Sequence, residues 1–372
     1  MLALTIFFLI GGVSAPYVGQ LVDRYGAKKV LAFGGFMTGL GFVLLSLVQT
    51  LWHFYGAYII VGVGMAANGM VPATAVVSNW FERWRGTAIG IMSAGIGAGG
   101  FALAPLIGAY LIPNFDWRVS YLALALISWL IVPLVLFVIK TKPVDMGLYP
   151  DGRQESEAVA EASLSVAEGL TVKTALTTST FWLIAIAFLA NGFSEVGLLQ
   201  NQVPYLVDVG FPPATAATAY GIVGFWSLIG KFGFGWLCDR IQAKYAAALG
   251  FGIQLIGVII LMNVRPAAPQ VLLWLYCVTI GFGAGSWLPT MSMLVSTNFG
   301  LASYGVLFGI ITLAQNIGTS TGPLVAGYMY DAMGSYHWAF IVFLGLFAVA
   351  IPSILAVRYP KARHNFKEEG VG

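Results

Sequence analysis

Runs of roughly twenty apolar residues recur along the whole chain, at about 2–22, 29–48, 52–78, 87–112, 117–139, 181–206, 214–237, 246–263, 270–296, 305–328 and 338–357. Each is long enough to cross a ~30 Å hydrocarbon core as a helix rising 1.5 Å per residue. The apolar positions are continuous rather than alternating, which excludes the period-two pattern of a membrane barrel. The pattern predicts an all-α polytopic membrane protein with eleven crossing helices joined by short polar connections. Composition agrees: 59% of the 372 residues are hydrophobic, 9% are charged and the mean hydropathy is +0.85, whereas about a quarter of a soluble domain is charged. The 46 glycines suit membrane helices that approach closely.

The connections divide by charge. Alternate loops and the tail hold Arg24, Lys28, Lys29, Arg83, Arg85, Lys140, Lys142, Arg153, Lys173, Arg240, Lys244, Arg358, Lys361, Arg363 and Lys367, whereas the other set holds only Arg118 and Arg265. Basic loops stay cytoplasmic, so the first set is assigned to the cytoplasm of a bacterial inner membrane. The net charge of +3 then reports orientation, not nucleic-acid binding. This orientation leaves the chain with an odd number of spans and a first residue already inside a hydrophobic helix. Residues 1–22 lack the basic start of a cleavable signal, so one further span is expected to precede Met1 in the parent protein.

The longest polar stretch, about Lys142 to Ser179, carries Asp151, Glu155, Glu157, Glu161 and Glu168 among small residues and reads as a flexible, solvated linker. It divides the chain into a bundle over 1–141, a linker over 142–179, a second bundle over 180–357 and a tail over 358–372. The two bundles repeat one another. Gly19, Leu21, Asp23, Arg24, Ala27 and Lys28 return 216 residues later as Gly235, Leu237, Asp239, Arg240, Ala243 and Lys244. With an offset of 219, Gly62, Gly64, Asn79, Gly86, Gly90 and Ile91 return as Gly281, Gly283, Asn298, Gly305, Gly309 and Ile310. Two halves of the same orientation imply a two-fold axis along the membrane normal, with any binding site at the midplane between them.

The loop from Gly19 through Asp23 and Arg24 to Lys29 resembles the signature loop between helices two and three of the major facilitator superfamily, and Gly235 to Lys244 resembles its weaker second copy. Three further features are similar to the monocarboxylate-porter and oxalate/formate-antiporter-like branch. They are Trp80 to Gly86 leading into a glycine-rich helix, Val203-Pro204-Tyr205-Leu206 with Asp208 and Gly210, and Gly230-Lys231 before Gly235. The resemblance implies two six-helix bundles, eleven helices being present here, and alternating access to a central site. It also implies a gating role for Asp23 and Arg24, together with Arg85.

Two ionisable side chains fall deep within spans, Lys231 and Glu195. Such residues are costly in a bilayer and become functional candidates on that ground. Lys231 precedes Arg240 by nine residues, hence by ~13 Å of helix, a depth that strains the reach of a snorkelling stem. In the branch that the chain resembles, the corresponding position is usually an Arg that binds the substrate carboxylate. Lysine keeps the charge but loses the planar two-bond fork. The acid often found one turn earlier is Ser227 here, so Glu195 is the candidate counter-charge and, because low dielectric disfavours an ionised carboxyl, the candidate proton carrier. A structural ion pair is an equally open reading of Glu195.

Asn68, Asn191, Gln315, Asn316 and Trp287 are placed at matching depths and are candidates to line the same site. Interhelical hydrogen bonding is the alternative for the amides and helix contact for the indole. Asp23 and Asp239 lie where they can meet the helix N-termini around Gly305 and Gly86, an arrangement the helix dipole favours. With Gly19, Arg24, Arg85 and Arg240 they form the candidate gate.

Other chemistries find little support. A phosphate-cradling loop is absent, since Gly224 to Lys231 has the wrong spacing and lies in a span. A Ser227/Lys231 hydrolytic dyad lacks a visible oxyanion pocket. No metal motif and no cofactor are expected, and Cys238 and Cys277 form no disulfide framework. The expected activity is secondary transport of a small organic anion, a monocarboxylate, with protons. An anion exchanger and a non-transporting sensor on the same fold are the alternatives. The expected partners are the substrate, protons and the lipid bilayer, and the chain is expected to act as a monomer.

Overall fold

A computed structural model describes residues 2–152 and 169–358; the acidic stretch of the linker from 153 to 168 and the tail beyond 358 lie outside it. Among the described residues the structure is helical. The N-terminal half comprises α1 (Leu2–Tyr25), α2 (Ala27–Ser46), α3 (Leu51–Asn68), α4 (Met70–Trp80), α5 (Arg85–Pro105), a short α6 (Ile112–Phe115) and α7 (Trp117–Val138). Beyond residue 168 come α8 (Val172–Leu176), a short helix inside the stretch expected as a flexible linker and anchored by the buried Ala175, and then α9 (Ser179–Asp208), α10 (Pro213–Cys238), α11 (Ala243–Asn263), α12 (Val271–Ala284), α13 (Trp287–Phe299), α14 (Tyr304–Met333) and α15 (His337–Leu355).

Three of the expected spans are not single α-helices. The apolar run over 52–78 divides into α3 and α4 at Gly69, whose φ −91° and ψ −146° leave the helical region. The run over 270–296 divides into α12 and α13 at Gly285 and Ser286, where the backbone tightens: Ser286 N donates to Gly283 O at 3.0 Å. The run from 87 loosens into a π-helical turn, Leu106–Leu111, directly after Pro105, whose missing N–H removes a rung of the ladder. Apolar patterning is blind to these interruptions because glycine and proline cost little hydropathy. Nine spans among the described residues are long and apolar enough to cross a membrane, α3 with α4 and α12 with α13 each counting as one. Two other long helical stretches, beginning at Arg85 and Tyr304, are rich in glycine and small polar residues.

The two basic residues that depart from the loop-charge pattern have structural work. Arg118 donates to Ser46 O and Val48 O, each at 2.9 Å, closing the end of α2. Arg265 donates to Val264 O and to the Tyr205 hydroxyl at 2.6 Å. Both guanidiniums satisfy polar groups left over at helix ends.

The halves meet along two crossings, α1 against α14 and α5 against α10. Small residues let the backbones touch: a methyl group at Gly86 would lie 2.5 Å from Gly235 O, and one at Gly305 would lie 2.5 Å from Gly19 O. Such contacts gain van der Waals energy that a larger side chain would forfeit. They lie toward the end of the molecule that carries the basic loops, here termed the basic face.

Candidate functional site

A cavity of about 310 Å³ lies between the halves, walled by α1, α3 and α4 on one side and α9, α13 and α14 on the other. Phe7, Phe8, Met65, Met70 and Trp287 supply apolar surface, and Glu195, Thr312, Gln315, Asn316 and Thr319 supply the polar groups. An apolar pocket with a few convergent polar groups between helix bundles is the usual form of a small-molecule site. Its floor is closed toward the basic face. Gly12 packs on the Asn316 side chain, Gly309 on Ala15, and Gly305 on Gly19, in that order along the α1–α14 crossing.

Of the residues singled out from the sequence, Glu195, Trp287, Gln315 and Asn316 come together in this lining. Trp287 enters it because the break at Gly285 and Ser286 makes it the first residue of α13. Asn68, Asn191 and Lys231 do not line it. Asn68 ends α3, where its backbone packs on Gly34. Asn191 is fully buried within the C-terminal half and donates to Gln254 Oε1 at 3.4 Å.

Lys231 is buried outside the cavity lining. Its side chain is only 8% exposed, and its backbone is held between Gly90 of α5 and Gly285 at the α12–α13 break. The opposite charge acting on it is Glu195. Among the described residues Lys231 and Glu195 are the only buried Asp, Glu, Lys or Arg side chains. Of the two, Glu195 alone lines the cavity. Its Oε2 is buried without a hydrogen-bond partner, and a buried polar atom left unpaired is costly. No hydrogen bond joins Ser227 to Lys231 among the described residues, and no cluster there of three His, Cys, Asp or Glu side chains could hold a metal.

At the basic face two aspartates reach across the molecule. Asp23, near the end of α1, accepts from Gly305 N at 2.9 Å and Val306 N at 3.0 Å at the start of α14. Asp239, directly after α10, accepts from Gly86 N at 2.6 Å, Thr87 N at 2.7 Å and Thr87 Oγ1 at 2.6 Å at the start of α5. Each carboxylate satisfies N–H groups that have no partner within their own helix. Arg85 donates to Phe81 O and Ser78 O, tying the end of α4 to the start of α5. Arg24 and Arg240 are not part of these contacts; they lie over the rings of Tyr25, at 5.2 Å, and Trp236, at 4.1 Å.

Three contributors were missed in the sequence. The Thr87 hydroxyl adds a third bond to Asp239. Gln254 orients Asn191. Tyr304, whose hydroxyl bonds Ser292 Oγ at 2.6 Å, faces Thr74 and Ser78 of α4 in the other half. Only Tyr304 had a usable signal: the 219-residue offset makes it the counterpart of Arg85.

Residues 1–323 match the Major Facilitator Superfamily. The chain is 27% identical over 344 residues to monocarboxylate transporter 13 of Bos taurus, covering 92% of this chain and 76% of that protein. It is 27% identical over 367 residues to monocarboxylate transporter 12 of Rattus norvegicus, covering 92% and 73%. Among solved structures, the proton:xylose symporter XylE bound to 6-bromo-6-deoxy-D-glucose aligns with a TM-score of 0.75 at 16% identity, covering 96% of this chain and 85% of that one. FucP in the outward conformation aligns with a TM-score of 0.72 at 15% identity, covering 96% and 90%. Two repeat-related helical halves, a cavity between them and paired aspartate contacts at one face thus accompany a family match over most of the sequence, and the chain belongs to the major facilitator superfamily.

Proposed function

We propose that the chain is a proton-coupled secondary transporter of a small monocarboxylate, with its basic face in the cytoplasm. The observation that carries this reading is the placement of Glu195 in the cavity wall, with Lys231, buried outside that lining, under the influence of its charge. The names of the monocarboxylate transporters to which the chain is similar support the substrate class.

In the empty site an ionised Glu195 balances Lys231. A proton arriving from the cavity removes that balance and leaves the ammonium uncompensated in a low-dielectric wall, a costly state. A substrate carboxylate entering the cavity restores neutrality, while Trp287 and the neighbouring phenylalanines take up its apolar part. The loaded, neutral site then permits the halves to rock, which parts the Asp23 and Asp239 contacts and opens the basic face. Binding and gating are coupled because α10 carries both Lys231 and, one residue past its end, Asp239.

Uptake into proteoliposomes, screened with acetate, lactate, pyruvate and benzoate, tests this reading. Lys231→Ala is expected to abolish saturable uptake with membrane expression retained; undiminished uptake removes the lysine from the site. Glu195→Gln is expected to retain counterflow but lose accumulation driven by a pH gradient. Gradient-driven accumulation that survives this change rejects Glu195 as the proton carrier. Counterflow without any response of the unmodified protein to a pH gradient assigns exchange instead.

A further inference from the structure

The cavity between the halves is divided by chemistry. Every described residue that its lining takes from the N-terminal half is glycine or apolar, with Phe7, Phe8, Met65 and Met70 the largest. No side chain on that side can donate a hydrogen bond. The C-terminal half supplies all the polar groups, Glu195 from α9 and Thr312, Gln315, Asn316 and Thr319 from α14. The four on α14 recur at spacings of three and four residues and so form one stripe along that helix.

A close approach of α9 and α14 sets the stripe in place. A methyl group at Gly192 would lie 2.7 Å from Gln315 O and 3.0 Å from Thr319 Oγ1, so a side chain there would hold Gln315 and Thr319 away from α9. Glu195 follows Gly192 by three residues, on the same side of the helix.

Within the stripe, Thr312 donates its hydroxyl to Phe308 O at 2.8 Å. Gln315 and Thr319 are only 7% and 6% exposed, yet their side chains hydrogen-bond no other described residue. A buried amide and a buried hydroxyl in this state are costly unless a partner reaches them from the cavity.

Two arguments decide what suits the space. A carboxylate turned toward the N-terminal half would exchange its water for a surface without a donor, which is unfavourable. Turned toward α14, it meets the Gln315 NH₂ group and the Thr319 hydroxyl. The volume of about 310 Å³ corresponds to about ten water-sized groups at ~30 Å³ each. Acetate would leave more than half of it, and nearly all of the N-terminal wall, without contact.

We propose that the substrate is an amphipathic monocarboxylate of arylalkanoate size, its head group held by Gln315 and Thr319 beside Glu195 and its apolar body laid against Phe7, Phe8, Met65 and Met70 of the other half. Such a ligand meets the two halves through different forces: hydrogen bonds orient it, and apolar contact selects it by size. This inference rests on the monocarboxylate reading of the same site.

Titration calorimetry of the purified full chain with acetate, butanoate, hexanoate and phenylacetate, the heat of empty micelles subtracted, tests it. Each added methylene is expected to tighten binding about fourfold, and phenylacetate to bind at least about tenfold more tightly than acetate. Gln315→Leu is expected to weaken every acid by the same factor, about tenfold, and Thr319→Val serves if that variant does not fold. Met70→Ala is expected to weaken hexanoate and phenylacetate several-fold and to leave acetate unchanged, with Met65→Ala as its second version. Acetate that binds as tightly as phenylacetate overturns the substrate class. Undiminished affinity in the folded α14 variant, or a methionine variant that weakens acetate and phenylacetate alike, overturns the division of the cavity. In each of these cases the monocarboxylate reading stands. If none of the four acids binds saturably, that reading falls together with the inference built on it.

Discussion

The two aspartate contacts at the basic face are related by the internal repeat, yet they are not equivalent. Asp239 accepts three hydrogen bonds of 2.6 to 2.7 Å, whereas Asp23 accepts two of 2.9 and 3.0 Å. The 219-residue offset explains the difference residue by residue. Thr87 is matched by Val306, so one receiving helix offers a hydroxyl in addition to its N–H groups and the other does not. Arg85 is matched by Tyr304, so Asp239 lies in the field of a cation whereas Asp23 faces a helix that starts on a neutral phenol. The copy whose sequence departs further from the family signature has the more extensive bonding. A motif in the donor loop describes only half of each contact; the receiving helix supplies the rest.

The largest expected disturbance treats both contacts alike. Gly86→Ala and Gly305→Ala each drive a methyl group to 2.5 Å from a backbone carbonyl of the opposite half, closer than real contacts allow. Both are expected to part the basic face nearly completely. The measurement is a spin-label distance between the exposed positions Lys29 and Tyr245, one in each half. A closed-state distance retained in either variant shows that the crossing has slack.

Asp239→Asn and Asp23→Asn come next and separate the halves. Hydrogen bonds to a charged acceptor each contribute about 1.5–3 kcal/mol when shielded from water, and these are only partly shielded. Asp239→Asn is expected to raise the open population about tenfold or more, and Asp23→Asn by a smaller factor in the same assay. Equal responses mean that the additional hydroxyl contributes nothing.

The smallest effects come from exchanging the two matched residues. Thr87→Val removes one bond and is expected to weaken the Asp239 contact by about 1 kcal/mol, a several-fold change in open population, bringing it close to the Asp23 contact. Val306→Thr is expected to strengthen the Asp23 contact by somewhat less, because the new hydroxyl loses side-chain entropy on bonding. An opposite sign for either substitution shows that the difference between the halves arises elsewhere.

Much of the site was legible because depth in a membrane is a local property of sequence. Glu195 and Lys231 stood out as charges far from any polar stretch, and burial of both follows from their position on long apolar helices. Trp287, Gln315 and Asn316 were placed at the right depth, and rotation about their helices happened to bring them to the cavity. Asn68 and Asn191 were placed equally well by depth but do not line the cavity, since depth carries no information about azimuth. Gln254 escaped notice because a neutral amide in an apolar helix is not costly enough to stand out, and its role depends on Gly283, which is distant in the chain.

The amino-acid sequence by itself determined the membrane-spanning segments, the two-fold repeat and the identity of the two buried charges, because hydropathy, loop charge and self-similarity are all read along one strand of residues. Tertiary structure alone decided which helices break, which polar groups face the cavity, which amides bond one another, and how the two aspartate contacts differ. Those features depend on pairs of residues brought together by helix packing, and such pairs leave no mark on the pattern of either segment taken alone.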